Sequence, residues 1–267
     1  MKPVTLTTLK SMKRAGEKIV SLTAYDYSFA SLLERAGVDI ILVGDSLGMV
    51  IQGHDSTLPV RLEDMIYHSA CVARARQRAL LMVDMPFMSY QSSPAQAFGN
   101  AGRLLQEGGA QMIKLEGGAY LAETVRFLVE RGIPVCVHLG LMPQSVHQLG
   151  GYRVQGRDQS AAERLREDAH LLQAAGAGAL LLESVPAGLA KTLTLELDIP
   201  TIGIGAGPDC DGQVLVLQDM LGLYPHASPK FSRNFLLPGS DSIEAAVHAY
   251  VEAVRAGTFP AEEHSFK

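Results

Sequence analysis

Eight short apolar runs recur along this chain, each followed by a stretch that reads as a helix or a turn. They are IVSLTA (19–24), DIILVG (39–44), LLMVDM (80–85), QMIKLE (111–116), PVCVHL (134–139), ALLLES (179–184), PTIGIG (200–205) and QVLVLQ (213–218). Near-continuous apolar runs of this length are what parallel strands covered on both faces look like. Between most of them the apolar period is 3.6 residues with capping residues at the ends. SFASLLERAG stops at Gly37, SPAQAFGNAGRLLQEGG opens with Ser93 and Pro94, and AYLAETVRFLVERG closes at Gly132. Steady alternation of strand and helix predicts a parallel sheet. Eight strands within 267 residues favour closure into an α/β (β/α)8 TIM barrel over an open doubly wound sheet. A single barrel domain over 1–267, with a short N-terminal extension and a polar C-terminal tail, is expected. Two places break the rhythm. AGPDCDG between the last two runs is too short for a helix, and GLMPQSVHQLGGYRVQGRDQ is too long and too rich in Gly and Arg for a simple turn, so it is expected to be a functional loop.

Composition narrows the partners. A formal net charge of −5 lacks the basic surface that nucleic acid requires, so small molecules are expected instead. The N-terminus has no apolar stretch of the kind a secretory signal needs, and no run approaches the roughly 18 apolar residues of a membrane helix. Cys71, Cys136 and Cys210 are odd in number and far apart, which fits neither a disulfide frame nor a CxxC metal site. A soluble cytoplasmic protein, bound to neither nucleic acid nor membrane, is the expectation.

Four of the runs end on an acid: Asp45 after IILVG, Asp84 after LLMV, Glu116 in MIKLE and Glu183 after ALLL. Ionised carboxylates beside a core are costly unless a cation, a proton or a hydrogen bond compensates them. Side chains two apart in a strand share a face. Because Ile113 and Leu115 suit the helix layer, Lys114 and Glu116 face the barrel axis, as do Cys136 with His138 and Leu181 with Glu183. In this fold the chemistry lies at the C-terminal mouth of the strands, so Asp45, Ser46, Asp84, Lys114, Glu116, His138 and Glu183 are expected to converge there. Oxygen ligands without a thiolate pair suit a hard divalent cation such as Mg²⁺. Lys114 would face a developing oxyanion, and an acid away from the metal would serve as general base. Each residue also has a structural alternative. Asp45, followed by Ser46 and Gly48, could cap a helix, His138 could be a hydrogen-bonded core residue, and Lys114 could simply pair with Glu116. GIGAG at 203–207 lacks the GxGxxG spacing of a dinucleotide loop and reads as a close turn. Met82, Met85, Met88 and Met142 read as packing residues.

The runs SLTAYD, LVGDSLGMVIQGHDSTLPV, DMPFMSY, KLEGG, PVCVHLGLMPQSV, GGYRVQGR, LLLESVP, IGIGAG, DGQ, PKFSRNF and PAEEHSF, in that order, resemble the ketopantoate hydroxymethyltransferase family over nearly the whole chain. The resemblance implies a barrel related to the phosphoenolpyruvate mutase and isocitrate lyase superfamily. It implies Mg²⁺, 5,10-methylenetetrahydrofolate as one-carbon donor, 3-methyl-2-oxobutanoate as the keto acid, a place in pantothenate synthesis and a homodecamer. By motif it assigns the metal to Asp45, Asp84 and Glu116. It assigns the substrate to Asp45, Ser46, Asp84, Lys114 and His138, and the proton acceptor to Glu183. The loop 140–157, with Arg153 and Arg157, is a candidate for the glutamate tail of the folate. The alternative is a Mg²⁺-dependent keto-acid C–C lyase of the same superfamily, which the absence of a Lys-Cys-Gly-His type loop disfavours. A non-catalytic keto-acid or metal-binding barrel would be expected to lack one of the charged residues, and none is missing.

Overall fold

The structure, a computed structural model, describes residues 2–236 and 242–267. The strands are β1 (Ile19–Thr23), β2 (Ile40–Val43), β3 (Leu80–Asp84), β4 (Met112–Glu116), β5 (Val135–Gly140), β6 (Ala179–Glu183), β7 (Thr201–Ile204) and β8 (Gly212–Leu215). Each pairs in parallel with its neighbours in chain order, and β8 pairs with β1 to close the barrel. The longer helices are α1 (Leu6–Ala15), α2 (Tyr27–Ala36), α3 (Leu62–Ala75), α4 (Pro94–Gln106), α5 (Ala122–Val129), α6 (Gln159–Ala174), α7 (Ala187–Glu196) and α8 (Ile243–Arg255).

Local chemistry sets these boundaries. Asp26 caps α2 by accepting from Phe29 N–H at 2.9 Å, and Gly37 ends it in the left-handed conformation at φ 80°. Ser93 caps α4 through Gln96 N–H, with Pro94 in its first turn. β7 and β8 are joined by a turn without a helix, as AGPDCDG requires. The expected last strand runs past Leu215, but the chain turns there into a single helical turn, Leu217–Met220. Thr23 Oγ1 accepts from Leu217 N–H at 3.0 Å, which draws the backbone away from the ladder.

Polar side chains tie the elements together at the N-terminal ends of the strands. Asp39 accepts from Val20 N–H at 3.0 Å and from Arg78 Nη2 at 2.6 Å. Glu34 accepts from the backbone N–H groups of Gln77, Arg78 and Ala79. Lys13 pairs with Asp211 at 2.7 Å, and Asp211 also accepts from Thr201 N–H. On the outside, the Tyr250 hydroxyl of α8 lies 3.0 Å from Ser21 O and 3.2 Å from Gln213 O, across the β1–β8 seam. These contacts satisfy the charges at the bottom of the barrel, so the charges at the mouth are the ones that need another account.

Cys71, Cys136 and Cys210 are free thiols. Among the described residues no helix is long and apolar enough to cross a membrane. Met82 and Met85 are buried as expected, whereas Met88 is 57% exposed at φ 65°. It is not a packing residue, because a left-handed turn after β3 swings it outward.

One glycine links the frame to the mouth. Gly140 ends β5 at φ 94°, and a Cβ there would stand 2.2 Å from Glu183 O, the atom that accepts from Leu141 N–H at 2.8 Å. Gly140→Ala is therefore expected to cost about 2–3 kcal/mol, a fall of roughly 4–12 °C in Tm for a chain of this size. Calorimetry checks this, and an unchanged Tm would show that the β5–β6 contact yields freely.

Candidate active site

Strand register brings the charged residues together. Across β3 and β4, Asp84 stands directly opposite Lys114. Across β4 and β5, Glu116 stands opposite His138, and across β5 and β6 Gly140 stands opposite Glu183. Opposed residues in a sheet have Cβ atoms about 5 Å apart, closer than residues two apart along one strand. Lys114 Nζ accordingly lies 3.2 Å from Asp84 Oδ1 and 3.9 Å from Glu116 Oε1. Asp84 rather than Glu116 is the nearer partner of Lys114, which revises the pairing expected from the KLE motif.

Asp45 joins them from the turn after β2. Its N–H donates to Asp84 Oδ2 at 3.1 Å. Gly44 permits the approach, since a Cβ there would lie 2.7 Å from Ser46 Oγ and 3.5 Å from Asp84 Oδ2. The side chain of Asp45 caps no helix, because its Oδ2 accepts from Gln144 Nε2 at 2.8 Å. Ser46 Oγ is 2.9 Å from the Tyr25 hydroxyl. His138 completes the floor, with Nδ1 3.2 Å from Lys114 Nζ and 3.4 Å from Glu116 Oε1, and Nε2 3.4 Å from Glu183 Oε2. All seven residues expected at the mouth line one cavity of about 660 Å³. Arg153 and Arg157 are exposed, while their loop neighbours Tyr152 and Val154 line the cavity wall.

Three partners had no signature in the sequence. Gln144 is buried at the head of the long loop after β5. Besides its bond to Asp45, its Nε2 donates to Met85 O at 2.9 Å and its N–H to Glu116 Oε2 at 3.0 Å. Tyr90 donates its hydroxyl proton to Gln144 Oε1 at 2.7 Å and accepts from Glu116 N–H at 3.1 Å. Tyr25 holds Ser46. The loop of Gln144 stands out by length and composition, but no spacing rule points to that residue.

Burial sets the charge states here. It pushes the Asp45 carboxyl well above the usual aspartate range, and the charges of Asp84 and Glu116 push the same way. Asp84 is also raised by burial, with Lys114 opposing. For Glu116 burial is outweighed by the His138 contact, the Lys114 charge and the Gln144 N–H, and its carboxyl is held low. Burial alone would lower Lys114, yet Asp84, Glu116 and Asp45 hold its ammonium above the ordinary lysine range. His138 is raised on balance, since contacts with Glu116 and Glu183 overcome burial and Lys114. Burial also pushes the Cys136 thiol up to about 12, so it stays protonated and packs.

This donor set suits a hard cation. Asp84 Oδ1 is buried without a hydrogen-bond donor, its contact with Lys114 being one of charge rather than of hydrogen-bond geometry. Gln144 occupies one oxygen of Asp45 and one of Glu116; the other oxygen of Glu116 faces His138 and Lys114, and Asp45 Oδ1 has no such partner. Among the described residues no three His, Cys, Asp or Glu side chains already form a metal cage. Mg²⁺ needs none, because it keeps several waters and takes one or two carboxylates directly.

Fold and mouth define a class, the (β/α)8-barrel enzymes that work with buried acids and a lysine at the C-terminal ends of the strands. Solved structures of that fold include a phosphonopyruvate hydrolase, at TM-score 0.61 and 14% identity over 83% of this chain and 84% of that one. A 2,3-dimethylmalate lyase of the PEP mutase/isocitrate lyase superfamily aligns at TM-score 0.58 and 14% identity, over 83% and 81% of the two chains. A model of the family described as ketopantoate hydroxymethyltransferase matches residues 3–262. The chain is 63% identical over 264 residues to the 3-methyl-2-oxobutanoate hydroxymethyltransferase of Thiobacillus denitrificans, covering 99% of this chain and 100% of the relative. It is 62% identical over 266 residues to that of Aromatoleum aromaticum, covering 99% and 97%. The chain belongs to the ketopantoate hydroxymethyltransferase family and is a transferase of that kind; the lyase alternative finds no support at comparable identity.

Two substitutions probe the site without any reaction. Gln144→Leu frees the carboxylates of Asp45 and Glu116 to turn and is expected to weaken Mg²⁺ binding roughly 10- to 100-fold by calorimetry; wild-type affinity would show that Gln144 only fills space. An acid whose folded pKa is raised binds its proton more tightly in the fold than in the unfolded chain. Stability is therefore lost as pH rises from the ordinary aspartate value through the raised one. Asp45→Asn removes that loss and keeps the Gln144 bond, so the metal-free variant is expected to be roughly 1–2 kcal/mol more stable at pH 7. The gain should shrink as pH falls toward the ordinary aspartate value, and a lower Tm at pH 7 would contradict the assignment.

Proposed function

We propose that this chain transfers the one-carbon unit of 5,10-methylenetetrahydrofolate to C3 of 3-methyl-2-oxobutanoate, giving 2-dehydropantoate for pantothenate synthesis. Asp45, Asp84 and Glu116 are assigned to Mg²⁺, and Asp45, Ser46, Asp84, Lys114 and His138 to the keto acid. The observation that carries the division of roles is the position of Glu183. Its side chain is 15% exposed, against 2–4% for Glu116 and Asp84, and His138 stands between it and Glu116. Lys114 lies against Asp84 and Glu116 and its charge acts on Asp45. Glu183, by contrast, has no lysine or arginine within 4 Å among the described residues, and it opens toward the cavity.

Mg²⁺ held by Asp45, Asp84 and Glu116 would supply Lewis acidity that makes the C3–H of the keto acid more acidic. Glu183 then takes the C3 proton. His138, with Nε2 3.4 Å from Glu183 Oε2, lies beside that carboxylate. Lys114 remains an ammonium among Asp84, Glu116 and Asp45 and faces the negative charge that grows on the 2-oxo oxygen as C3 is deprotonated. Tyr25 fixes the Ser46 hydroxyl for the substrate carboxylate. C3 forms its new bond to the one-carbon unit as one of that carbon's two bonds to folate nitrogen breaks. Water then supplies the hydroxyl as the second carbon–nitrogen bond breaks, and tetrahydrofolate leaves with its two nitrogens reprotonated, one proton coming from C3 and one from water.

Following the family resemblance, we also assign the chain, as a single barrel domain, to the cytoplasm and to a homodecamer. Tyr67 and Leu195, 67% and 78% exposed, are apolar side chains on the surface of the single chain. Neither nucleic acid nor membrane is assigned as a partner, in keeping with the net charge of −5.

The base is tested apart from the folate. Glu183→Gln is expected to slow Mg²⁺-dependent exchange of the substrate C3 proton for solvent deuterium at least roughly a hundredfold, with Mg²⁺ and keto-acid affinities by calorimetry near wild type. Exchange at the wild-type rate would remove Glu183 from this role. Turnover of 3-methyl-2-oxobutanoate without folate would favour a lyase instead.

A further inference from the structure

The cavity that holds the site is lined by more than the charged cluster. Besides the charged cluster of the site, Val214, Val216, Tyr224 and Phe231 line it, together with His226 and with Lys230, whose ammonium donates to Ser265 O. At about 660 Å³ it falls in the middle of the range for drug-sized ligands, well beyond what a small keto acid occupies. One recessed carboxylate of this lining takes no part in the chemistry described above. Asp219 lines the cavity from the helical turn after β8, a turn pinned to β1 by the bond from Leu217 N–H to Thr23 Oγ1.

Asp219 differs from the other acids of the cavity. Among the described residues no Lys, Arg or His lies within 4 Å of its carboxylate and no donor hydrogen-bonds to it. Burial alone pushes its carboxyl up to about 6. Asp55, which also lines the cavity, is exposed. A recessed carboxylate without donors is unfavourable until something supplies them. Two oxygens in one plane are best met by two parallel N–H donors, the arrangement that makes bidentate pairs strong and directional. The 2-amino-4-oxo edge of a pterin has that form, since its ring N3–H and exocyclic amino group stand side by side. The flat faces of the same ring suit the aromatic and branched side chains that line the cavity with Asp219.

Its place relative to the reacting centre also fits. The Tyr25 hydroxyl, 2.9 Å from Ser46 Oγ, feels the charges of both Asp84 and Asp219. Asp219 and Ser46 line the same cavity, so a ring system anchored at Asp219 lies in the space that the keto-acid site opens into.

We propose that Asp219 binds the 2-amino-4-oxo edge of the reduced pterin of the one-carbon donor, with Val214, Val216, Tyr224 and Phe231 as the surface beside that ring. This rests on the folate-dependent reading given above. Asp219→Asn keeps the size of the side chain but turns one acceptor into a donor that opposes the donors of the ring. Tetrahydrofolate binding is measured by calorimetry on the full-length enzyme, alongside Mg²⁺-dependent C3 deuterium exchange of the keto acid in the absence of folate. Asp219→Asn is expected to weaken tetrahydrofolate roughly 10- to 100-fold while exchange proceeds as in wild type, which also shows that the variant is folded. 6-Methyltetrahydropterin, which has the ring without the tail, is expected to compete for the wild-type site. Equal tetrahydrofolate affinity in wild type and Asp219→Asn would overturn the assignment of Asp219, and so would loss of exchange in the variant or failure of the bare pterin to compete. Absence of tetrahydrofolate binding in the wild type would instead overturn the folate-dependent reading itself.

Discussion

The ammonium of Lys114 holds the mouth of this barrel together electrostatically. It lies within 4 Å of Asp84 and Glu116 and is buried with them. Bringing three carboxylates into one dry pocket without a cation would cost several kcal/mol per ion even after relaxation. With it, Glu116 is held ionised while Asp45 and Asp84, pushed up by burial, are left wanting further positive charge. One lysine thus compensates some of the cluster and leaves a remainder that a divalent cation can meet. An apolar residue at 114 would leave Asp84 and Glu116 as uncompensated buried charges, whose cost is greater than that of losing the pair's attraction.

Hydrogen bonds then divide the carboxylate oxygens. Gln144 reaches from the loop after β5 to Asp45, to Glu116 and to the backbone at Met85, and Tyr90 fixes the amide of Gln144 in turn. Each oxygen occupied in this way is fixed in place, while the second oxygen of Glu116 faces His138 and Lys114. Because Gln144 and Tyr90 come from loops that follow different strands, the loops and the acids are positioned together. Displacement of the loop at 144 would be felt at Asp45 and Glu116 at once.

The eight strands are legible because buried parallel strands are apolar runs, and the inward faces of β4, β5 and β6 are legible because strand side chains alternate with a strict period of two. The four acids stand out for the same reason, as polar residues ending apolar runs. Their partners do not stand out. Whether Lys114 meets Asp84 or Glu116 depends on the register of β3 against β4, which is a property of the closed sheet. The roles of Gln144, Tyr90 and Tyr25 depend on the paths of loops, where no period constrains a side chain. β8 is shorter than its apolar run because that run continues into a helical turn, and the bond from Leu217 N–H to Thr23 that ends the strand joins residues at opposite ends of the chain. Met88 departs from its expected packing role because a left-handed backbone turns an apolar side chain outward without any mark in composition.

The two ends of the barrel handle buried charge in opposite ways, and the contrast separates structural acids from functional ones. At the bottom, Asp39, Asp211 and Glu34 are met by an arginine, a lysine and backbone N–H groups, so nothing further is required of a ligand. At the mouth, Asp84 Oδ1 and His138 Nε2 are buried without hydrogen-bond partners. Such groups are disfavoured in the free protein, and a bound ion or substrate that satisfies them recovers that cost. The polar ties at the bottom stabilise the frame independently of the mouth, which allows the mouth to keep groups suited to a ligand rather than to the fold.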